Sequence, residues 1–189
     1  MTPRTPPLDA GATRVLDFWF RELTPGDWFG GGAQLDEKVR ARFGAVHAQA
    51  LEGACDGWAE TPLGRLALVI VLDQFSRHIH RDTAQAFAAD RRAQELVLEG
   101  LEAGVDAQLG FAHRHFFYMP LMHAEDTVLQ ARSVACFEDL NRFAGELLAF
   151  ARSHEADIAA YGRFPYRNAA LQRRSTHEEE DFLKTRQGP

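Results

Sequence analysis

Thr61-Pro62-Leu63-Gly64-Arg65-Leu66-Ala67-Leu68-Val69-Ile70-Val71-Leu72-Asp73-Gln74-Phe75-Ser76-Arg77-His78-Ile79-His80 is the stretch that decides the fold. From Leu66 to Leu72 it is wholly apolar, and periodicity alone does not separate a buried strand from a buried helix there. The start arbitrates. Thr61 is a good N-cap residue, and Pro62 fits the first helical position, where an N–H would be unbonded anyway. The segment also continues to about His80, which favours a buried helix.

The flanks supply further helices and no strand of alternating polarity. Asp9 caps a first helix to about Glu22, with Val15, Leu16, Phe18 and Trp19 near one face. Thr24-Pro25-Gly26-Asp27 reads as a turn. Leu35, Val39, Phe43, Val46 and Ala50 mark a helix over about 34–54. Asp82 or Thr83 caps another over about 84–103, ended near Gly104. Ala112 to Met119 is a short segment stopped by Pro120; Leu121–Phe143 and Gly145–Tyr161 form two more helices. After a turn from Gly162 to Asn168, Ser175, Thr176, Glu178 and Glu179 offer two overlapping capping boxes for a last short helix.

Composition points the same way. Ala and Leu total 49 residues against 12 for Val and Ile, and the former lose less entropy in a helix. The 14 Phe supply the area that helix-on-helix cores bury. The expected architecture is all-α, an array of antiparallel helix pairs with about seven to nine helices. Residues 1–8 are expected to be a flexible N-terminal segment, and 9–189 a single all-α domain.

Several function classes drop out. A formal charge of −6 argues against a nucleic-acid binder that neutralises phosphates. No apolar run approaches the roughly 18 residues that span a bilayer. Met1 to Ala10 holds three prolines and no apolar core of a signal peptide, so the expectation is a cytoplasmic protein with no membrane partner. Cys55 and Cys136 are too few for a disulfide framework. There is no P-loop, dinucleotide fingerprint, nucleophile elbow or zinc motif, so no cofactor and no metal are expected. His78/His80 and His113/His115 are two apart, which on a helix points each pair away from a shared ion.

What remains is a set of polar residues in apolar surroundings. Asp73, Gln74 and Arg77 follow the apolar run, with Asp73 and Arg77 spaced for a helical ion pair. Asp90 lies on the stripe of Ala86, Ala93 and Val97. His123, Glu125 and Asp126 open the helix after Pro120, and His154 sits in the stripe of Leu147, Phe150, Ala151, Ile158 and Tyr161. Arg163, Arg167 and Asn168 crowd one turn, where two guanidinium groups suit an anion.

Leu72-Asp73-Gln74-Phe75, Ala86-Phe87-Ala88-Ala89-Asp90, the run from Phe116 to Asp126, and Gly162-Arg163-Phe164-Pro165 followed by Arg167-Asn168 together resemble the bacterial DUF924 family, from about Val15 to Leu183. The resemblance implies an all-α fold of the tetratricopeptide-like superfamily and implies no activity. Ser76, His78 and Tyr166 stand where the family pattern has Pro, Asn and His, and Gln172 replaces a glycine.

Two readings stay open. In one, Arg77, Arg163, Arg167, Asn168, Gln74 and Asp90 bind an anionic small molecule or peptide. In the other, His154 or His123 works with Asp73, Glu125 or Asp90 as an acid–base pair of a small-molecule enzyme. The sequence carries no sign of the oligomeric state.

Overall fold

A computed structural model of the chain describes residues 6–185, and among them there is no strand. The all-α expectation holds. Helix α1, Ala10–Asp17, continues as the π-helical segment Phe18–Glu22, and Asp9 caps it by accepting from the N–H of Gly11 at 2.6 Å. Helix α2 is Pro25–Gly30, α3 is Ala33–Leu51, and α4 runs from Pro62–Ile70 through a π-helical turn, Val71–Phe75, into Ser76–Ile79. A 3₁₀ turn, Ala84–Phe87, precedes α5, Asp90–Glu102. Helices α6, Phe111–Met122, α7, Thr127–Tyr161, and α8, His177–Thr185, complete the order. None of these helices is long and apolar enough to cross a membrane.

Four local readings need correction. The turn at Thr24 is a helix start: Thr24 and Asp27 form a capping box with Pro25 inside it. The helix read over 84–103 is a 3₁₀ turn followed by α5: Thr83 stands at the N-cap position of the turn but makes no side-chain capping bond, its hydroxyl donating to the His80 carbonyl, and Ala89 precedes α5. Helix α6 continues through Pro120 to Met122, although the proline has no N–H to donate to the Phe116 carbonyl one turn back. The two helices drawn on either side of Phe143 are one, α7, because a lone Gly145 costs only about 1 kcal/mol against alanine.

The chain divides into two compact units, Met1–Glu138 and Asp139–Pro189. The expectation of a flexible segment over 1–8 lies outside the described residues for 1–5; Pro6 and Pro7 line a cavity of about 450 Å³ with Trp58.

The first unit is organised around α4. Every residue from Leu66 to Ser76 is buried, and α1, α3, α5 and α6 all pack on this helix. Thr61 caps it as expected, accepting from the Gly64 N–H at 3.1 Å. Phe18, Trp19, Phe43, Phe75 and Phe116 form an edge-to-face and tilted aromatic core, with Phe75 of α4 at 4.8 Å from Phe43 and 5.7 Å from Trp19.

The second unit is held by polar contacts at its turn. Gly162, at φ of 66°, ends α7 in the left-handed conformation usual for a C-terminal glycine. Arg163 then forks onto Glu179, with Nε to Oε1 at 2.6 Å and Nη2 to Oε2 at 2.7 Å. The Asn168 amide and the Thr176 N–H donate to the same carboxylate. Thr176 and Glu179 thus form one of the two expected capping boxes for α8, and Ser175 instead accepts from Asn168. The stripe of Leu147, Phe150 and Ile158 is 54%, 66% and 41% exposed, and His154 is exposed with it. A period of 3.6 puts residues on one face; it does not supply anything to cover that face.

Two outcomes follow for the second unit. Gln172 keeps φ of 52°, the left-handed backbone a glycine would adopt freely, so Gln172→Gly should stabilise the protein by roughly 0.5–1 kcal/mol. A decrease in the urea midpoint of that variant would show the strain to be absent. The Arg163 fork and the Thr176 N–H lower the Glu179 pKa from 4.5 to about 2. A folded-state pKa below the unfolded value contributes stability above about pH 4.5 that is lost as pH falls through about 2. The stability gap between wild type and Glu179→Gln, read from thermal melts by circular dichroism, should therefore close as the pH is lowered across that window. A gap of constant size would contradict the pairing.

Candidate functional site

The π-helical turn of α4 holds the buried Asp73, which is 1% exposed. Such turns recur at functional sites, because the extra residue re-aims the side chains that follow. A carboxylate in that position needs donors. His123, at the C-cap of α6, supplies Nδ1–H to Oδ1 at 2.9 Å, and the Gln74 amide donates to Oδ2. Arg77, one turn on, places Nη1 3.0 Å from Oδ1 and also bonds the Asp73 carbonyl at 2.9 Å.

Arg77 is shared. Its two terminal nitrogens fork onto both oxygens of Asp90, at 2.9 Å each, at the first residue of α5. That explains a carboxylate on the stripe of α5: it reaches across to α4. The guanidinium also lies 5.5 Å from the ring centre of Phe87. His123 was expected at the start of a helix. It instead closes α6, while Asp126 caps α7 by accepting from the N–H groups of Val128 and Leu129.

These groups meet a pocket of about 670 Å³, lined by Arg77, Phe87, Asp90, Arg91, Gln94, His123 and Glu125. The volume is that of a small-molecule site. The structure thus brings together Asp73, Gln74, Arg77, Asp90, His123 and Glu125, six of the sequence candidates, within the first unit. Phe87, Arg91 and Gln94 were missed. Phe87 stands inside the quoted motif ending at Asp90, and Gln94 follows Asp90 by one helical turn, so the spacing carried a signal for both.

The remaining candidates belong to the second unit and have partners there. Arg163 and Asn168 are bound to Glu179. The Arg167 guanidinium lies over the rings of Phe164, at 4.5 Å, and Tyr166, at 5.7 Å. The His154 ring meets Phe164 edge-on at 5.6 Å.

A second polar layer lines the face of α4 towards α3. His78 donates Nδ1–H to Asp36 at 2.7 Å, and Arg81 forks onto the same carboxylate. The Arg81 bonds, opposed by burial, hold the Asp36 carboxyl below its ordinary range. His47 bonds the Ser76 hydroxyl at 2.8 Å, and burial, aided by nearby His80, lowers the His47 pKa. Ser76 and His78, two departures from the family pattern, are thus accounted for by partners on α3.

The family described as bacterial proteins of unknown function, DUF924, matches residues 15–187. A solved structure of a protein of unknown function from Agrobacterium tumefaciens is similar, at 37% sequence identity and a TM-score of 0.64, over 92% of this chain and 97% of that one. No curated protein matches.

Asp73→Ala should destabilise the first unit by roughly 2–3 kcal/mol, the cost of leaving His123 and Gln74 without their acceptor. That is below the roughly 3–5 kcal/mol for stranding a buried charge, because Arg77 keeps its fork on Asp90. Urea unfolding measures it. A loss under about 1 kcal/mol, the figure for a surface pair, would show that Asp73 is not a buried acceptor.

Proposed function

We propose, for a chain that belongs to the DUF924 family of bacterial proteins of unknown function, that the first unit is a small-molecule enzyme whose Asp73–His123 pair exchanges protons with a substrate in the pocket. One observation carries this reading: His123 is tied through Nδ1 to a buried carboxylate while its ring lines the pocket. A carboxylate only accepts, so Nδ1 keeps its hydrogen and Nε2 is left to take up or return a proton. Asp73 fixes the tautomer and the ring angle, the task of the third member in a nucleophile–base–acid arrangement. Gln74 and Arg77 in turn fix Asp73.

Anion binding by arginine, the other reading, has less support from this geometry. Arg77 is forked onto Asp90 and Arg163 onto Glu179, so an incoming anion must displace a carboxylate from each.

The reading is tested by turnover. Wild type, His123→Gln and Asp73→Asn are incubated with a bacterial metabolite extract, and mass spectrometry follows which species are consumed. At least one species should be consumed by wild type and about 10²–10⁴-fold more slowly by both variants, the usual loss when general acid–base catalysis is removed. Consumption that survives His123→Gln, or no consumption by wild type, would refute the proposal.

A further inference from the structure

We infer that the pocket takes a small molecule bearing a positively charged nitrogen, with the Glu125 carboxylate as its counter-ion and the Phe87 ring as its platform. This rests on the reading of the pocket as a small-molecule site, and it names the class of ligand. Most of the charged groups on the pocket are already engaged. Both oxygens of Asp90 are occupied by Arg77, and Arg77 is further bound to Asp73. Arg91 bonds Glu95 through Nε at 3.1 Å, with the arginine side chain 91% exposed. Glu125 also lines the pocket but makes no hydrogen bond or ion pair among the described residues. Two carboxylates, Asp90 and Glu125, and two guanidinium groups, Arg77 and Arg91, thus line the cavity, and the one charge among them without a partner among the described residues is that of Glu125.

Phe87 supplies the second observation. Phe87 is 60% exposed, although it ends a 3₁₀ turn beside the buried Ala86 and Ala89. An aromatic face carries negative potential and attracts an ammonium group or guanidinium within about 6 Å. Arg77 already uses the ring in this way from one side. A carboxylate and an aromatic ring lining one cavity are the elements that recognise organic cations, and the same pair repels a phosphate or carboxylate. The neutral amide of Gln94, also without a partner among the described residues, is left to bond a polar substituent of the ligand.

The test measures binding with simple probes. Tetramethylammonium and 1,4-diaminobutane chlorides are titrated into the full chain at fixed ionic strength, beside sodium phosphate and sodium acetate, with thermal shift and calorimetry as readouts. The amines should raise the melting temperature in a concentration-dependent way, as ligands of the native state do. Glu125→Gln and Phe87→Ala, both at exposed positions, should each weaken amine binding by about tenfold without lowering the melting temperature of the free protein. Equal or tighter binding of phosphate or acetate would overturn the inference, as would amine affinity unchanged by Glu125→Gln. His123→Gln separates the two proposals. Amine binding that persists with no His123-dependent turnover refutes the acid–base reading alone. Turnover that needs His123 while the amines fail to bind refutes the cation preference alone.

Discussion

A carboxylate buried inside an apolar helix cannot stay there unsatisfied. Asp73 is 1% exposed between Leu72 and Gln74 on α4, the helix on which four others pack. An ionised group in that position loses several kcal/mol of hydration unless donors replace the water. The donors come from three directions: Gln74 beside it, Arg77 one turn on, and His123 from the end of α6. Each then acquires a fixed position. His123 is drawn over the pocket, and Arg77 is directed to Asp90, which ties the start of α5 to α4. Much of the pocket wall follows from satisfying one carboxylate.

The polar layer on the other face of α4 obeys the same rule with a different outcome. Asp36 gathers His78 and Arg81, and His47 bonds Ser76, but these groups fill one another's needs between α3 and α4. Asp36, His47, Ser76, His78 and Arg81 line none of the cavities at Trp58, at Arg77 and at Leu16. The two buried histidines have satisfied partners, whereas His123 has one nitrogen tied and its ring on a pocket, the difference on which the acid–base proposal rests. The difference lies in access rather than in residue type.

Departures from the family pattern sort in the same way. Ser76 and His78 have partners on α3 that make use of their hydroxyl and imidazole. Gln172 has no such reward. It retains the left-handed φ of 52° in a turn whose bonds, Arg173 N–H to Asn168 and Gln172 N–H to Ala169, demand that conformation whatever the side chain. The turn bearing Arg163 nonetheless stays ordered through Glu179, which joins it to the start of α8.

Sequence alone determined what depends on neighbours a few residues away. The caps at Asp9, Thr61 and Thr176, the buried helix from Leu66 to Leu72 and the absence of strands among the described residues are all local in origin, since caps and helical bonds span three or four residues. The same range explains the misreadings at Gly145 and Pro120, where a local helix-breaking preference of about 1–3 kcal/mol was outweighed by the flanking helix. Sequence also singled out Asp73, Arg77, Asp90, His123 and Glu125 as anomalous, because polar groups stand out against an apolar pattern. It did not show their partners: Asp73 and His123 are 50 positions apart, and no periodicity links residues on different helices. It also put His154 ahead of His123, because the stripe around His154 reads as a buried face. Only the tertiary structure separated them, by burying one acceptor beneath His123 and leaving the stripe around His154 open to solvent, since burial is a property of what packs against a helix and not of the helix itself.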